Sequence, residues 1–272
     1  MPKGLRKNPK TWYVLIGNSE YEYSQLKNLP YSARDCQTLE QVFSQEIPFL
    51  NPAEVIGFLH DADQTSDPEN LPNRANVLRV LAQMEQMQQE NHIIPDDTII
   101  FYFTGHGERD ENGRTVLCVK DTNPSDLNKT GLDLQNLLNR LAQLKCRQTI
   151  VFIDACYSGN VERPPKIEGT FTALLSCQPE TPSWQLDHIS AGIYSYYLIR
   201  GLCGEATNTN TNEISLGQLY HYIEESLKDY WKQWRDRAKW FNYFQKQDNI
   251  IPTQQEIKWL GIPAKLGRFV SK

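Results

Sequence analysis

Two stretches of the chain end apolar runs in small residues that frame a side chain able to do covalent chemistry. "TIIFYFTGHG", Thr98 to Gly107, delivers His106 between two glycines, and "TIVFIDACYSG", Thr149 to Gly159, delivers Cys156 after Asp154 and Ala155. A thiol where a buried strand leaves its sheet is partly exposed, and its thiolate is a strong nucleophile once a base lies close. His106 is read as the only histidine at an equivalent strand end, which makes it the candidate base. Gly105 and Gly107 let the backbone approach a bound group and turn an N–H outward, as an oxyanion hole requires. A Cys–His pair beside free backbone amides is equipment for acyl transfer. Each half is weak alone, since a strand-end cysteine is more often packing and a lone histidine more often a satisfied core imidazole.

The elements that must position this pair follow from hydrophobic period. "TWYVLIGNSEY" stops at Gly-Asn, as a buried strand entering a loop does, and "EVIGFLHD", Thr98 to Phe103 and Thr149 to Ile153 read the same way. Between them "YSARDCQTLEQVF", "NRANVLRVLAQMEQMQQE" and "GLDLQNLLNRLAQL" carry helical stripes. "RTVLCVKDT" reads as an exposed strand. Strands alternating with helices predict an α/β class: a central, mostly parallel β-sheet flanked by helices on both faces, an α/β/α sandwich. Its ligand crevice lies beyond the carboxyl ends of the strands, where both small-residue stretches end.

Composition narrows the function. A chain of 272 residues with a formal net charge of -5 is not a general polyanion binder, so nucleic acid is not an expected partner. The longest apolar runs are strand-length, and a cytoplasmic protein without stable membrane insertion is expected. Six cysteines form no CxxC pair and five histidines show no HxxxH spacing, so neither a disulfide framework nor a structural or catalytic metal is expected.

The two motifs together, "FTGHG" and "DACYSG" with the histidine fifty residues before the cysteine, resemble the caspase/metacaspase superfamily of cysteine peptidases (peptidase family C14). The similarity is greatest to prokaryotic metacaspase-like proteins, the orthocaspases. The resemblance implies a caspase-like fold over 1–272, with 1–160 resembling the large subunit, 161–169 an exposed linker and 170–272 resembling the small subunit. It further implies a dyad of Cys156 as nucleophile and His106 as general acid/base, and an oxyanion hole from the amides of Gly107 and Cys156. Caspases that cut after aspartate carry a glutamine two residues before the nucleophile and an arginine after it, where this chain has Asp154 and Tyr157. Asp35 in "YSARDC" matches the other pocket aspartate of metacaspases, and Thr104 stands where that family has a pocket serine. Two carboxylates favour Arg or Lys at P1, arginine especially for its paired donors. Either aspartate could instead cap a helix or bind loop amides.

Remaining features leave alternatives open. Loop 160–169 contains Arg163 and Lys166 as candidate self-cleavage sites, Lys166 being the better because Pro164 impairs cutting after Arg163; an ordinary surface loop is the plainer reading. The helix "KDYWKQWRDRAKWFNYFQK" interleaves aromatic and basic residues, which suits its own core or an anionic partner. Calcium dependence is open: "HDADQTSDPE" and "ERDENG" offer oxygens without EF-hand order. Cys177 is the second candidate thiol, and the other cysteines are read as core. The expected function is a cysteine endopeptidase acting on protein or peptide substrates after Arg or Lys, in a bacterial stress, cell-death or defence pathway. Monomer is favoured over dimer, with a separate activating or recruiting protein. The alternatives are a catalytically silent scaffold, a partner-activated zymogen and a small-molecule amidase.

Overall fold

The computed structural model describes residues 8–44, 53–62, 67–162, 169–178, 183–207, 213–244, 258–261 and 265–268. Its central sheet contains β1 (Thr11–Gly17), β2 (Ala53–His60), β3 (Thr98–Thr104), β7 (Gln148–Asp154), β8 (Thr170–Leu175) and β12 (Lys258–Gly261), in the order β12-β8-β7-β3-β1-β2. The first five are parallel and β12 runs antiparallel to β8. Helices α1 (Ser32–Ser44), α2 (Arg74–Gln89), α4 (Leu134–Ala142), α5 (Ile193–Arg200) and α6 (Leu216–Phe244) flank it, and α3 (Leu127–Thr130) is a single turn. Short strands β4 (Gly107–Arg109), β5 (Thr115–Leu117) and β6 (Leu132–Asp133) form a separate antiparallel sheet; β9 (Gln185–Leu186) pairs with β10 (Ala191–Gly192), and β11 (Glu213–Ser215) with β13 (Lys265–Arg268).

Strands β1, β3, β7 and β8 are buried on both faces, and their alternate residues feed two different cores. Val14, Ile16, Phe101, Phe103, Val151 and Ile153 meet α2 and α4 through Val77, Leu81, Met84, Leu138 and Leu141. Their neighbours Leu15, Ile100, Tyr102, Ile150 and Phe152 meet α1, α5 and α6 through Leu39, Phe43, Tyr194, Leu198, Leu219 and Trp231. The expected sandwich is thus the observed fold. Helix starts follow the sequence closely: the Asn73 side chain accepts from Asn76 N, Asp133 accepts from Asn136 N, and Ser215 and Gln218 cap each other reciprocally at α6.

Two expectations need correction. "RTVLCVKDT" is not an exposed strand: Thr115–Leu117 is buried as the middle strand of the small antiparallel sheet, with Leu117 in one core with Leu134, Leu138 and Leu141 of α4. His106 is also not the only histidine at a parallel strand end, since β2 finishes at His60, opposite Gly17. His60 sits on the far edge strand, its ring 4.5 Å from Phe58, with β1 between it and β3.

Gly17, the last residue of β1, sets how closely α1 approaches the sheet edge. A Cβ there would lie 2.5 Å from Cys36 Cβ and 2.7 Å from the Ser32 carbonyl oxygen. Gly17→Ala is therefore expected to lower stability by about 2 kcal/mol through overpacking, read as a lower urea midpoint. An unchanged midpoint would contradict the close approach.

Candidate active site

Strands β3 and β7 are direct neighbours, in a register that sets Thr104 opposite Asp154. The chain beyond each strand end therefore emerges at one rim, and His106 and Cys156 line the same small cavity there. Gly107 brings the two loops into close contact, for a Cβ on it would stand 2.2 Å from the Cys156 carbonyl oxygen. The amide of Gly105 donates to the Asp154 carbonyl at 3.1 Å and is spent on joining the two strand ends.

Sequence reading finds no third group behind His106, and the structure supplies one from the backbone. His106 Nε2 lies 2.7 Å from the carbonyl oxygen of Lys27. A carbonyl only accepts, so this contact places the ring proton on Nε2 and leaves Nδ1 as the basic atom. No side-chain pattern could have revealed it, because any residue at position 27 offers the same oxygen. Tyr21, from the same loop, accepts the His106 backbone N–H at 2.8 Å and packs its ring 4.9 Å from the imidazole.

Cys156 sits on a tight turn after β7. Tyr157, next in the chain, has φ of 58°, a left-handed conformation uncommon for a bulky residue. The turn is held because Thr115 Oγ1 donates to the Tyr157 carbonyl at 2.8 Å and the Arg109 guanidinium lies 4.8 Å from the Tyr157 ring. The thiol is partly exposed, and the Ser183 N–H donates to its Sγ at 3.3 Å. Burial pushes the Cys156 thiol up to about 12, the Ser183 hydrogen bond opposing this.

Asp35 and Asp154 converge on Gly192. A Cβ on that glycine would lie 2.7 Å from Asp154 Oδ2 and 3.2 Å from Asp35 Oδ2. Asp35, in the first turn of α1, accepts the Gly192 N–H at 2.8 Å. Asp154 accepts from the Ser195 hydroxyl at 2.6 Å, from the Ser195 N–H at 3.3 Å, and from the Ser183 hydroxyl. Since Ser195 donates to Asp154, the Tyr102 hydroxyl 2.7 Å away donates to Ser195. The two carboxyls are only 3% and 5% exposed. Burial first, and then the Asp154 charge, raises Asp35 well above the usual carboxylate range; burial likewise raises Asp154 against its hydroxyl donors.

The cavity in front of Asp154 measures about 70 Å³ and is walled by Ser32, Thr104, His106, Cys156, Ser183 and Gln185 among others. Asp35 is not on its wall and reaches the site across Gly192. Thr104 Oγ1 lies 3.4 Å from Ser32 Oγ, to which Gln185 Nε2 donates at 2.8 Å, and Gln185 Oε1 accepts from Tyr31 N at 3.3 Å. Ser183, Gln185, Gly192 and Ser195 went unread because "SWQLDHISAGIYSYY" carries no spacing that marks a site.

Arg163 and Lys166 lie outside the described residues, as do the side chains of Trp234, Trp240, Phe241 and Phe244. Trp231 of the same helix is buried, its ring 6.3 Å from Trp184. Cys36, Cys118 and Cys146 are buried as expected; Cys177, the second candidate thiol, is buried as well, and Cys203 is exposed and is no core thiol. His188 stacks on Tyr230, and His221 is exposed beside Glu224. Among the described residues no group of three or more His, Cys, Asp or Glu is arranged to hold a metal, and no helix is long and apolar enough to cross a membrane. In "ERDENG" the Asp110 carboxylate is committed to Asn112 N, Arg114 N and the Arg114 guanidinium, so it staples its own turn.

A parallel sheet between two helical layers, with a thiol, an imidazole and buried carboxylates at its carboxyl edge, is the architecture of a caspase-like cysteine peptidase domain. The family model of the caspase domain matches residues 10–249, and the chain belongs to that family, peptidase C14. Metacaspase-1 of Cryptococcus neoformans is 28% identical over 120 residues, covering 40% of this chain but 24% of the fungal protein, so the match spans about a quarter of that relative. Caspase-1 from Spodoptera frugiperda superimposes with a TM-score of 0.57 at 14% identity, covering 100% of this chain and 98% of the insect one. Protein GSU0716 from Geobacter sulfurreducens gives a TM-score of 0.57 at 12% identity, with 93% of each chain covered. At those identities the two structures speak for the fold alone.

With its pKa pushed up to about 12, the Cys156 thiol is protonated in the resting chain at neutral pH. Iodoacetamide alkylation of Cys156, followed by peptide mass mapping, is expected to accelerate about ten-fold per pH unit from pH 7 to 9 with no plateau, as the thiolate fraction grows. A plateau below pH 8 would show a thiolate already formed.

Proposed function

We propose that the chain is a cysteine endopeptidase that cleaves on the carboxyl side of Arg or Lys, with Cys156 as nucleophile and His106 as general acid/base. The observation that carries the reading is the pair of carboxylates, Asp35 and Asp154, meeting at Gly192 beside the cavity that His106 and Cys156 share. A cationic side chain entering there would neutralise a pair whose carboxylates make no ion pair among the described residues, and a guanidinium would meet both with paired donors. Cys156 attacks the scissile carbonyl, and the amides of Gly107 and Cys156 receive the oxyanion. His106 protonates the leaving amine and then activates water for deacylation. Thr104 contributes a hydroxyl to the pocket mouth.

Family membership supports a cysteine peptidase in general, and protein or peptide substrates with it. A bacterial stress, cell-death or defence role, a cytoplasmic location, a monomeric state, kinship with the orthocaspases and processing at Lys166 or Arg163 stand on the resemblance of the motifs.

One observation favours a second reading, a zymogen opened by a partner. The cavity is narrow, about 70 Å³. Ser183 and Gln185 roof it, and Ser183 holds the thiol.

Hydrolysis of matched fluorogenic peptides ending in Arg, Lys, Asp or Leu tests both readings, with and without calcium. Arg and Lys turnover lost in Cys156→Ala is expected, with the arginyl peptide falling about a hundred-fold in kcat/KM in Asp154→Asn. Because both carboxyls titrate above their usual range, arginyl kcat/KM should rise with pH across that raised range as protons leave the pair. Preference for Asp would overturn the specificity. Silence in wild type with turnover in Gln185→Ala would establish the zymogen; silence in both would reject the peptidase reading.

A further inference from the structure

The loop between β1 and α1 touches the histidine at two separate points. Besides the Lys27 carbonyl on Nε2, the Tyr21 hydroxyl oxygen accepts the His106 N–H at 2.8 Å, and the Tyr21 and imidazole rings lie 4.9 Å apart at 48°. A phenol has one proton to give, and Tyr21 directs it to the Asn18 carbonyl at 3.4 Å, so its oxygen is free to accept from His106. Gly105 makes room for this contact: a Cβ there would lie 3.1 Å from the Tyr21 hydroxyl and 3.0 Å from the Phe103 ring.

The loop is in turn anchored by groups that do not touch the histidine. Asp61, the residue after β2, is buried and accepts Ser19 N on one oxygen and Glu20 N on the other, each at 2.8 Å. Lys120 stands 3.7 Å from Asp61 and 3.2 Å from Glu20, and its carbonyl accepts the Glu22 N–H at 2.9 Å. The two amides held by Asp61 and the one held by Lys120 bracket Tyr21 on both sides.

We infer that Tyr21 is a positioning residue for His106, holding the His106 backbone N–H by its hydroxyl and packing its ring against the imidazole, and that Asp61 holds Tyr21 in place. The inference rests on the proposed dyad but makes a separate claim, because a histidine could serve Cys156 without this phenol. Burial keeps the Tyr21 phenol neutral by raising its pKa, in accord with a hydroxyl that must retain its proton for Asn18. Removing the hydroxyl alone leaves the tilted ring contact but frees the His106 backbone to shift, which moves Nδ1 relative to the thiol.

Tyr21→Phe and Asp61→Asn, made in the full chain, test this with two readouts. With arginyl peptide, kcat is expected to fall about ten-fold in Tyr21→Phe, and by less in Asp61→Asn, while KM stays within about two-fold. Independently of turnover, nitrogen-15 histidine NMR, with His106 assigned by His106→Ala, should show the Nε2–H tautomer dominant in wild type, where Nε2 meets the Lys27 carbonyl, and a mixture of tautomers in Tyr21→Phe, where the shifted backbone carries Nε2 off that oxygen. An unchanged tautomer with unchanged kcat would overturn the inference, as would a rise in KM with kcat intact, which would make Tyr21 a substrate contact. Should wild type cleave nothing, the peptidase reading fails on its own, and the tautomer alone decides for or against Tyr21.

Discussion

The register between β3 and β7 sets Thr104 against Asp154, and every other feature of the site inherits its place from that pairing. Parallel strands advance together, so fixing one pair fixes where both chains leave the sheet. A slip of β7 by one residue would turn that strand over, moving Val151 to the α1 side and Phe152 to the α2 side. That large apolar penalty protects a small polar arrangement. The Gly105 amide bond to the Asp154 carbonyl extends the pairing beyond the strands, and Gly107 presses the histidine loop onto the cysteine turn.

Against this rigid rim the acidic pair is an electrostatic load. Two carboxyls, nearly sealed from water and eased only in part by the charge of Arg34, stay in place because Gly192, Ser183 and Ser195 donate to them and Tyr102 supports Ser195. Buried polar groups are tolerable when hydrogen-bonded, and buried like charges favour keeping a proton between them. On the proposed function, a substrate cation replaces that proton, so specificity draws on an unfavourable charge arrangement already built into the fold. The thiol is treated similarly, kept protonated by burial until a substrate and His106 reach it.

Much of the site could be read from side chains whose spacing is set by local chain direction. Strand, helix and loop boundaries around His106 and Cys156 follow from apolar runs ending in glycine, and Asp35 falls in the first turn of a helix that the stripe of α1 announces. The parts that escaped are those made by backbone or by distant segments. The Lys27 carbonyl has no sequence signature, and "EYEY" gives no reason to choose Tyr21, which lies against His106, over Tyr23, which is exposed. Ser183, Gln185 and Ser195 enter through a turn whose pairing, β9 with β10, joins only two residues on each strand. Burial of Thr115–Leu117 was missed because its cover comes from tertiary packing with the α4 leucines, which no local pattern announces.

The central claim is that one thiol, faced by one imidazole and an acidic pocket, does the chemistry. Intact-mass and peptide mass spectrometry after treatment with a peptidyl-arginyl chloromethyl ketone, beside its aspartyl counterpart, tests that claim most directly. The account predicts a single arginyl adduct on Cys156, slowed strongly in His106→Ala, and little reaction with the aspartyl reagent. Labelling led by the exposed Cys203, or faster modification of Cys156 by the aspartyl reagent, would contradict it.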